Sequence, residues 1–125
     1  MAIAKSAVPV FASALVPPGG TKAAPATGGA GQMIDNSSNG TSSLGWRIKN
    51  GASAPTVAGT MTIQQSPDGG TTWFDYFTIS GSTVAGDDIT GTIQIERGIK
   101  ALRALCYGNA TNPVTFEAIL SAVAG

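Results

Sequence analysis

Apolar and polar positions alternate in a series of short runs along the second two-thirds of the chain. Trp46-Arg-Ile-Lys49 alternates apolar with charged residues, and Thr60-Met-Thr-Ile-Gln64 sets Met61 and Ile63 on one side. Residues 73–79 are aromatic and β-branched, and Thr92-Ile-Gln-Ile-Glu96 puts Ile93 and Ile95 together. Residues 101–107 oppose Leu102, Ala104 and Cys106 to Arg103, and 114–120 begin with the same period. A period of two is the pattern of a half-buried strand. In the last run a helix competes, but the β-branched residues and the Asn112-Pro113 start favour a strand. Turn signals separate the runs: Asn50-Gly51, Asp68-Gly69-Gly70, Ser80-Gly81, Ala85-Gly86-Asp87 and Gly108-Asn109. Short strands at this spacing predict an all-β fold, an antiparallel β-sandwich over residues 46–125.

Residues 1–45 read differently. Ile3, Val8, Val10, Phe11, Leu15 and Val16 make an apolar segment that Pro9 interrupts. Met1-Ala-Ile-Ala-Lys5 ahead of the apolar stretch 6–16, and the small residues of Ala24-Pro-Ala26, have the outline of a signal peptide. The break at Pro9 favours an extended N-terminal arm instead. Residues 17–45 are loop chemistry: Pro17-Pro-Gly-Gly20, then glycine, alanine and proline, then Asn36-Ser-Ser-Asn-Gly-Thr-Ser-Ser43. A structureless stretch of that length is usually a linker or a functional loop, with Met33-Ile34 as an anchoring point within it. The expected organisation is therefore an arm and linker over 1–45, ordered by contact with other chains, and a sandwich domain over 46–125. Removal of residues 2–16 is then expected to leave a folded domain.

Composition narrows the function. The chain has 125 residues, 42% hydrophobic and only 11% charged, with seven Lys+Arg against seven Asp+Glu. Enough apolar material is present for one core, which argues against a disordered chain. The surface has to be covered by Ser, Thr, Gly, Ala and Asn, which suits a chain packed against neighbours better than a free monomer. Zero net charge argues against nucleic acid as a partner. The absence of a run of about 18 apolar residues argues against a membrane-spanning helix. Histidine is absent and Cys106 is the single cysteine, which excludes Cys/His zinc sites, internal disulfides and imidazole acid–base chemistry. Neither catalytic residues nor a cofactor nor a metal is expected, and the chain reads as a non-enzyme.

The sharpest local motif is Ser66-Pro-Asp-Gly-Gly-Thr-Thr-Trp73. It resembles the Asp-box of sialidases and other BNR-repeat proteins, matching at Ser66, Asp68, Gly70, Thr72 and Trp73. Its physics is that of a hairpin tip. The Asp68 carboxylate accepts from amides of its own turn, the glycines take positive φ, and the Trp73 ring covers the turn. The expected role is structural, with ligand contact as the alternative. Asp87-Asp88 reads as a solvated turn, or as part of a Ca²⁺ site if Asp68 or Asp75 converges on it. Arg97, Lys100 and Arg103 read as the solvated face of a strand or as contacts to a phosphate or an acidic neighbour. Trp73, Phe74, Tyr76 and Tyr107 are packing residues or a platform for a sugar. A glycosidase is disfavoured, because neither Glu96 nor Glu117 has an identifiable partner across a cleft.

Beyond that motif, Phe77-Thr-Ile-Ser-Gly81, Ile99-Lys-Ala-Leu-Arg103 and Val114-Thr-Phe-Glu-Ala-Ile-Leu120 give residues 60–122 a likeness. The region resembles small β-sandwich virion proteins of tailed bacteriophages. The resemblance implies a structural protein of the virion, assembled in the host cytoplasm, most naturally a capsid decoration or cement protein. Its partners would be the major capsid protein or other virion proteins and copies of itself, with weak glycan contact as a further expectation. The arm would carry the contact through Ile3, Val8, Val10, Phe11, Leu15 and Val16. The alternatives are a tail, neck or baseplate component, or a carbohydrate-binding module.

Overall fold

A computed structural model describes residues 5–24 and 31–124. Eight strands follow in order: β1 (Lys5–Val16), β2 (Ile34–Asp35), β3 (Ser42–Asn50), β4 (Thr60–Ser66), β5 (Phe74–Ser80), β6 (Asp88–Ile95), β7 (Ala101–Tyr107) and β8 (Val114–Val123). They form two four-stranded sheets, β1-β8-β3-β6 and β2-β7-β4-β5, with every ladder antiparallel. The chain is an all-β antiparallel sandwich, as the alternation predicted.

The inner faces carry the side chains that the period of two selects. Leu44, Ile48, Phe116 and Leu120 meet Met61, Ile63, Leu102 and Cys106, all at most 1% exposed. Among the described residues β4 and β5 form the one hairpin between consecutive strands, and the other ladders join strands distant in sequence. The seams between sheets are closed at particular points. On one side the Tyr76 hydroxyl donates to the Gln94 carbonyl at 2.8 Å, tying β5 to β6. On the other, Gly31 donates its N–H to the Ala104 carbonyl at 2.6 Å, and a Cβ there would strike the Val10 carbonyl oxygen. Only glycine lets the chain pass so close between β1 and β7.

The expected arm is corrected. Residues 5–16 form β1, paired with β8 from Lys5↔Val123 to Val16↔Val114. Val10, Phe11 and Val16 are at most 3% exposed in this chain's own core, and Val8 packs against it. Leu15 alone of the described arm residues stays outside, at 62% exposed. Ile3 lies outside the described residues. Pro9 concealed the strand because a proline interrupts a ladder. It is tolerated here because β1 is a sheet edge, and the register shifts on the C-terminal side of Pro9 absorb the irregularity.

The boundary at residue 45 falls with it. The described part of the loop-like stretch is held by this chain itself. Gly19 donates to the Asn109 carbonyl, Gly108 donates to the Gly20 carbonyl, and Lys22 pairs with Asp75. Asn36 is fully buried: its N–H reaches the Lys100 carbonyl and its Nδ2 the Ile99 carbonyl, both at 2.7 Å, and its Oδ1 accepts from Asn39. Loop composition here encodes specific side-chain-to-backbone clamps, not a tether.

Candidate functional site

The 66–73 turn closes the β4–β5 hairpin and is built by one carboxylate. Asp68 Oδ1 accepts from the Ser66 hydroxyl at 2.7 Å, from Thr72 N at 2.8 Å and from Thr71 N at 3.0 Å. Ser66 Oγ in turn accepts from Gly70 N at 2.7 Å. Gly69 and Gly70 sit at φ 80° and 116°, conformations in which a Cβ is costly. The Thr72 backbone N–H, followed by the Thr72 and Ser66 hydroxyls, holds the Asp68 carboxyl well below its ordinary range. Trp73 Nε1 donates to the Gly70 carbonyl at 3.1 Å. The five motif residues thus act on one another within a single turn.

A polar chain runs from this turn over the outer face of β7 and β4. The Arg103 guanidinium lies over the Trp73 ring, and its Nε donates to Gln64 Oε1 at 2.8 Å. Gln64 Nε2 donates to Asp75 Oδ1 at 3.0 Å, and Asp75 pairs with Lys22. The Lys22 ammonium, together with Gln64, lowers the Asp75 pKa, and Asp75 raises that of Lys22. Of the grouped basic residues, Arg103 is therefore engaged inside the chain, whereas Arg97 and Lys100 are exposed.

The aromatic platform for a sugar does not assemble. Trp73 offers its face to Arg103, the Tyr76 hydroxyl is bound to Gln94, and the Tyr107 hydroxyl bonds Thr62 Oγ1 at 2.8 Å. Phe74 projects at 52% exposed, and Phe77 on the same strand at 38%. The carboxylates do not converge either. Asp87 accepts from the Ser82 hydroxyl at 2.6 Å, while Asp88 pairs with Arg47 at 3.0 Å. Among the described residues no three of His, Cys, Asp and Glu gather in a way that would hold a metal ion. Cys106 is buried and packed in the core, and desolvation pushes its thiol pKa far up, so it is a poor nucleophile.

Two surface features remain. The first is a hollow of about 260 Å³ beside the turn, bounded by Met33, Asp35, Ser37, Gly69, Lys100 and Ala101. Lys100 was singled out by the basic grouping. Asp35 and Ser37 carried no signal beyond loop composition, although Met33-Ile34 marked the place where the loop anchors.

The second feature is the outer face of β1-β8-β3-β6. Its cross-strand rows follow from the register. Two rows, Ala7–Ser121–Ser43–Gln94 and Pro9–Ile119–Gly45–Thr92, hold no charge. The next two, Glu117–Arg47–Thr90 and Leu15–Thr115–Lys49–Asp88, carry both signs. Leu15 and Ile119 are exposed here, and Gly45 leaves a shallow depression of about 250 Å³ between Arg47, Glu117 and Ile119. The other sheet differs, because the segment around Lys22 is tied across to Asp75 and Gly20 to Gly108.

No protein-family model and no curated protein sequence matches this chain.

Proposed function

We propose that this chain is a non-enzymatic structural subunit of a tailed-bacteriophage virion, a capsid decoration or cement protein, that docks through the outer face of β1-β8-β3-β6. The observation that carries this reading is the difference between the two sheets. One is crossed by the chain's own loop, and the other presents two uncharged rows, with Ile119 exposed in one of them and Leu15 exposed in a neighbouring row that carries charge. Flat faces of small residues pack closely against another protein, and the flanking charges of both signs set the orientation. The low charge content and the resemblance of residues 60–122 to virion sandwiches point the same way. β1 is not a free connector, because Val10, Phe11 and Val16 are buried within this chain's own core. Weak contacts repeated over a lattice add up to firm retention.

The test is addition of the purified full chain to particles that lack it, followed by imaging and copy counting. Wild type is expected on the capsid shell in many copies. Ile119→Arg and Gly45→Glu, which alter outward positions only, are expected to lose incorporation while remaining folded. A few copies at the neck or baseplate would favour that location instead. Undiminished incorporation of both variants would remove this face from the interface.

A further inference from the structure

The hollow beside the 66–73 turn serves neither the core nor the proposed docking face. Part of its wall is held in place by hydrogen bonds. Gly69 is held by the hydrogen bonds that Asp68 and Ser66 collect inside the turn. Asp35 is fixed from one side: Oδ1 accepts from Ser37 N at 2.9 Å and from Ser37 Oγ at 2.6 Å, and Oδ2 has no partner among the described residues. The backbone of Lys100 is held through its carbonyl, which accepts from Asn36 N at 2.7 Å, while its exposed ammonium has no partner among the described residues. Asp35 and Lys100 line the same hollow yet form no ion pair with each other. Met33 and Ala101 supply apolar surface between them.

We infer that this hollow binds a single pyranose residue, with a ring hydroxyl bridging Asp35 and Lys100 and a C–H face lying on Met33 and Ala101. The opposite charges cancel, so neither a simple anion nor a simple cation is drawn in. A group placed between a carboxylate and an ammonium has to donate to one and accept from the other, and a hydroxyl does both. Hydrogen bonds to charged groups are among the stronger ones available to a neutral ligand. The hollow, about 260 Å³, lies just below the range of about 300–1,000 Å³ typical of drug-sized sites. That suits one ring, with any further sugar units leaving toward solvent.

This inference does not depend on the virion reading, and its failure would leave the particle assay untouched. The isotope-labelled full chain is titrated with methyl glycosides of glucose, galactose, mannose and N-acetylglucosamine, with glycine and glutamate as zwitterion controls. Saturable amide shifts are expected at Asp35, Ser37, Gly69, Lys100 and Ala101, with a dissociation constant of about 1 mM for the best glycoside. Asp35→Asn and Lys100→Met should each weaken binding about tenfold, with the native circular dichroism spectrum retained at the assay temperature. The inference is overturned if no glycoside gives saturable shifts, if the shifts centre elsewhere, if the zwitterions bind as well, or if both variants bind like wild type.

Discussion

The central carbon of the Arg103 guanidinium lies 4.2 Å from the centroid of the Trp73 ring. This stack joins β7 to the hairpin turn, and the Nε–Gln64 bond extends it to β4. A partly desolvated cation–π contact is worth about 0.5–2 kcal/mol. Arg103→Ala should lower stability to urea by about 1–2 kcal/mol and shift the Trp73 emission. Arg103→Lys keeps the charge but loses the planar stack and the Nε donor, so an intermediate loss is expected. Equal stability of all three proteins would show that the contact contributes nothing.

Deletion of residues 2–16 tests the reassignment of the arm. Val10, Phe11 and Val16 are buried, and each contributes about 1.5–3 kcal/mol. Together these approach the whole net stability of a small domain, about 5–15 kcal/mol. The truncated chain should therefore be unfolded by circular dichroism, whereas a true arm would leave a folded sandwich. Phe11→Ala is the milder version and should cost about 3–5 kcal/mol.

Acid should loosen the turn. The Asp68 pKa lies below its ordinary value of 3.8 in the folded chain. Its contribution is therefore complete above the unfolded pKa and is lost as pH falls through the folded one. Asp35 and Asp75 are shifted in the same direction, by Ser37 and by Lys22 with Gln64 respectively. Unfolding free energy should fall as pH drops from about 5 toward 2. Asp68→Asn should start lower and show a shallower slope, with a residual dependence from the other two. An unchanged slope in that variant would mean the carboxylate charge is not what holds the turn.

Thr111 is the one non-glycine residue with positive φ among those described, at 75°. A β-branched residue is strained there, and its hydroxyl contact with Thr56 at 2.7 Å is exposed. Thr111→Asn, which tolerates the left-handed region, should raise stability by about 1 kcal/mol. A stability loss on denaturant titration would show that the Thr56 contact outweighs the strain.

Alternation was sufficient to find β7 at its observed bounds, and it chose Met61, Ile63, Ile95 and Cys106 as core residues correctly. Those assignments rest on backbone geometry that repeats every two residues and needs no knowledge of a partner strand. The 66–73 turn was equally legible, because its donors, acceptor and glycines lie within one short segment. What the sequence missed depends on distance. Lys5 meets Val123 across nearly the whole chain, and Asn36 meets Lys100 across about half of it. β1 carries a proline and register shifts that erase the local period, and β2 spans only two residues. The hollow likewise combines a loop, a turn and the start of β7. For the strands from β3 onward, local pattern determined where strands form and which faces turn inward. Tertiary pairing decided that the first strand belongs to the sandwich, because an edge strand is defined by the neighbour it adds to, and that neighbour lies at the far end of the sequence.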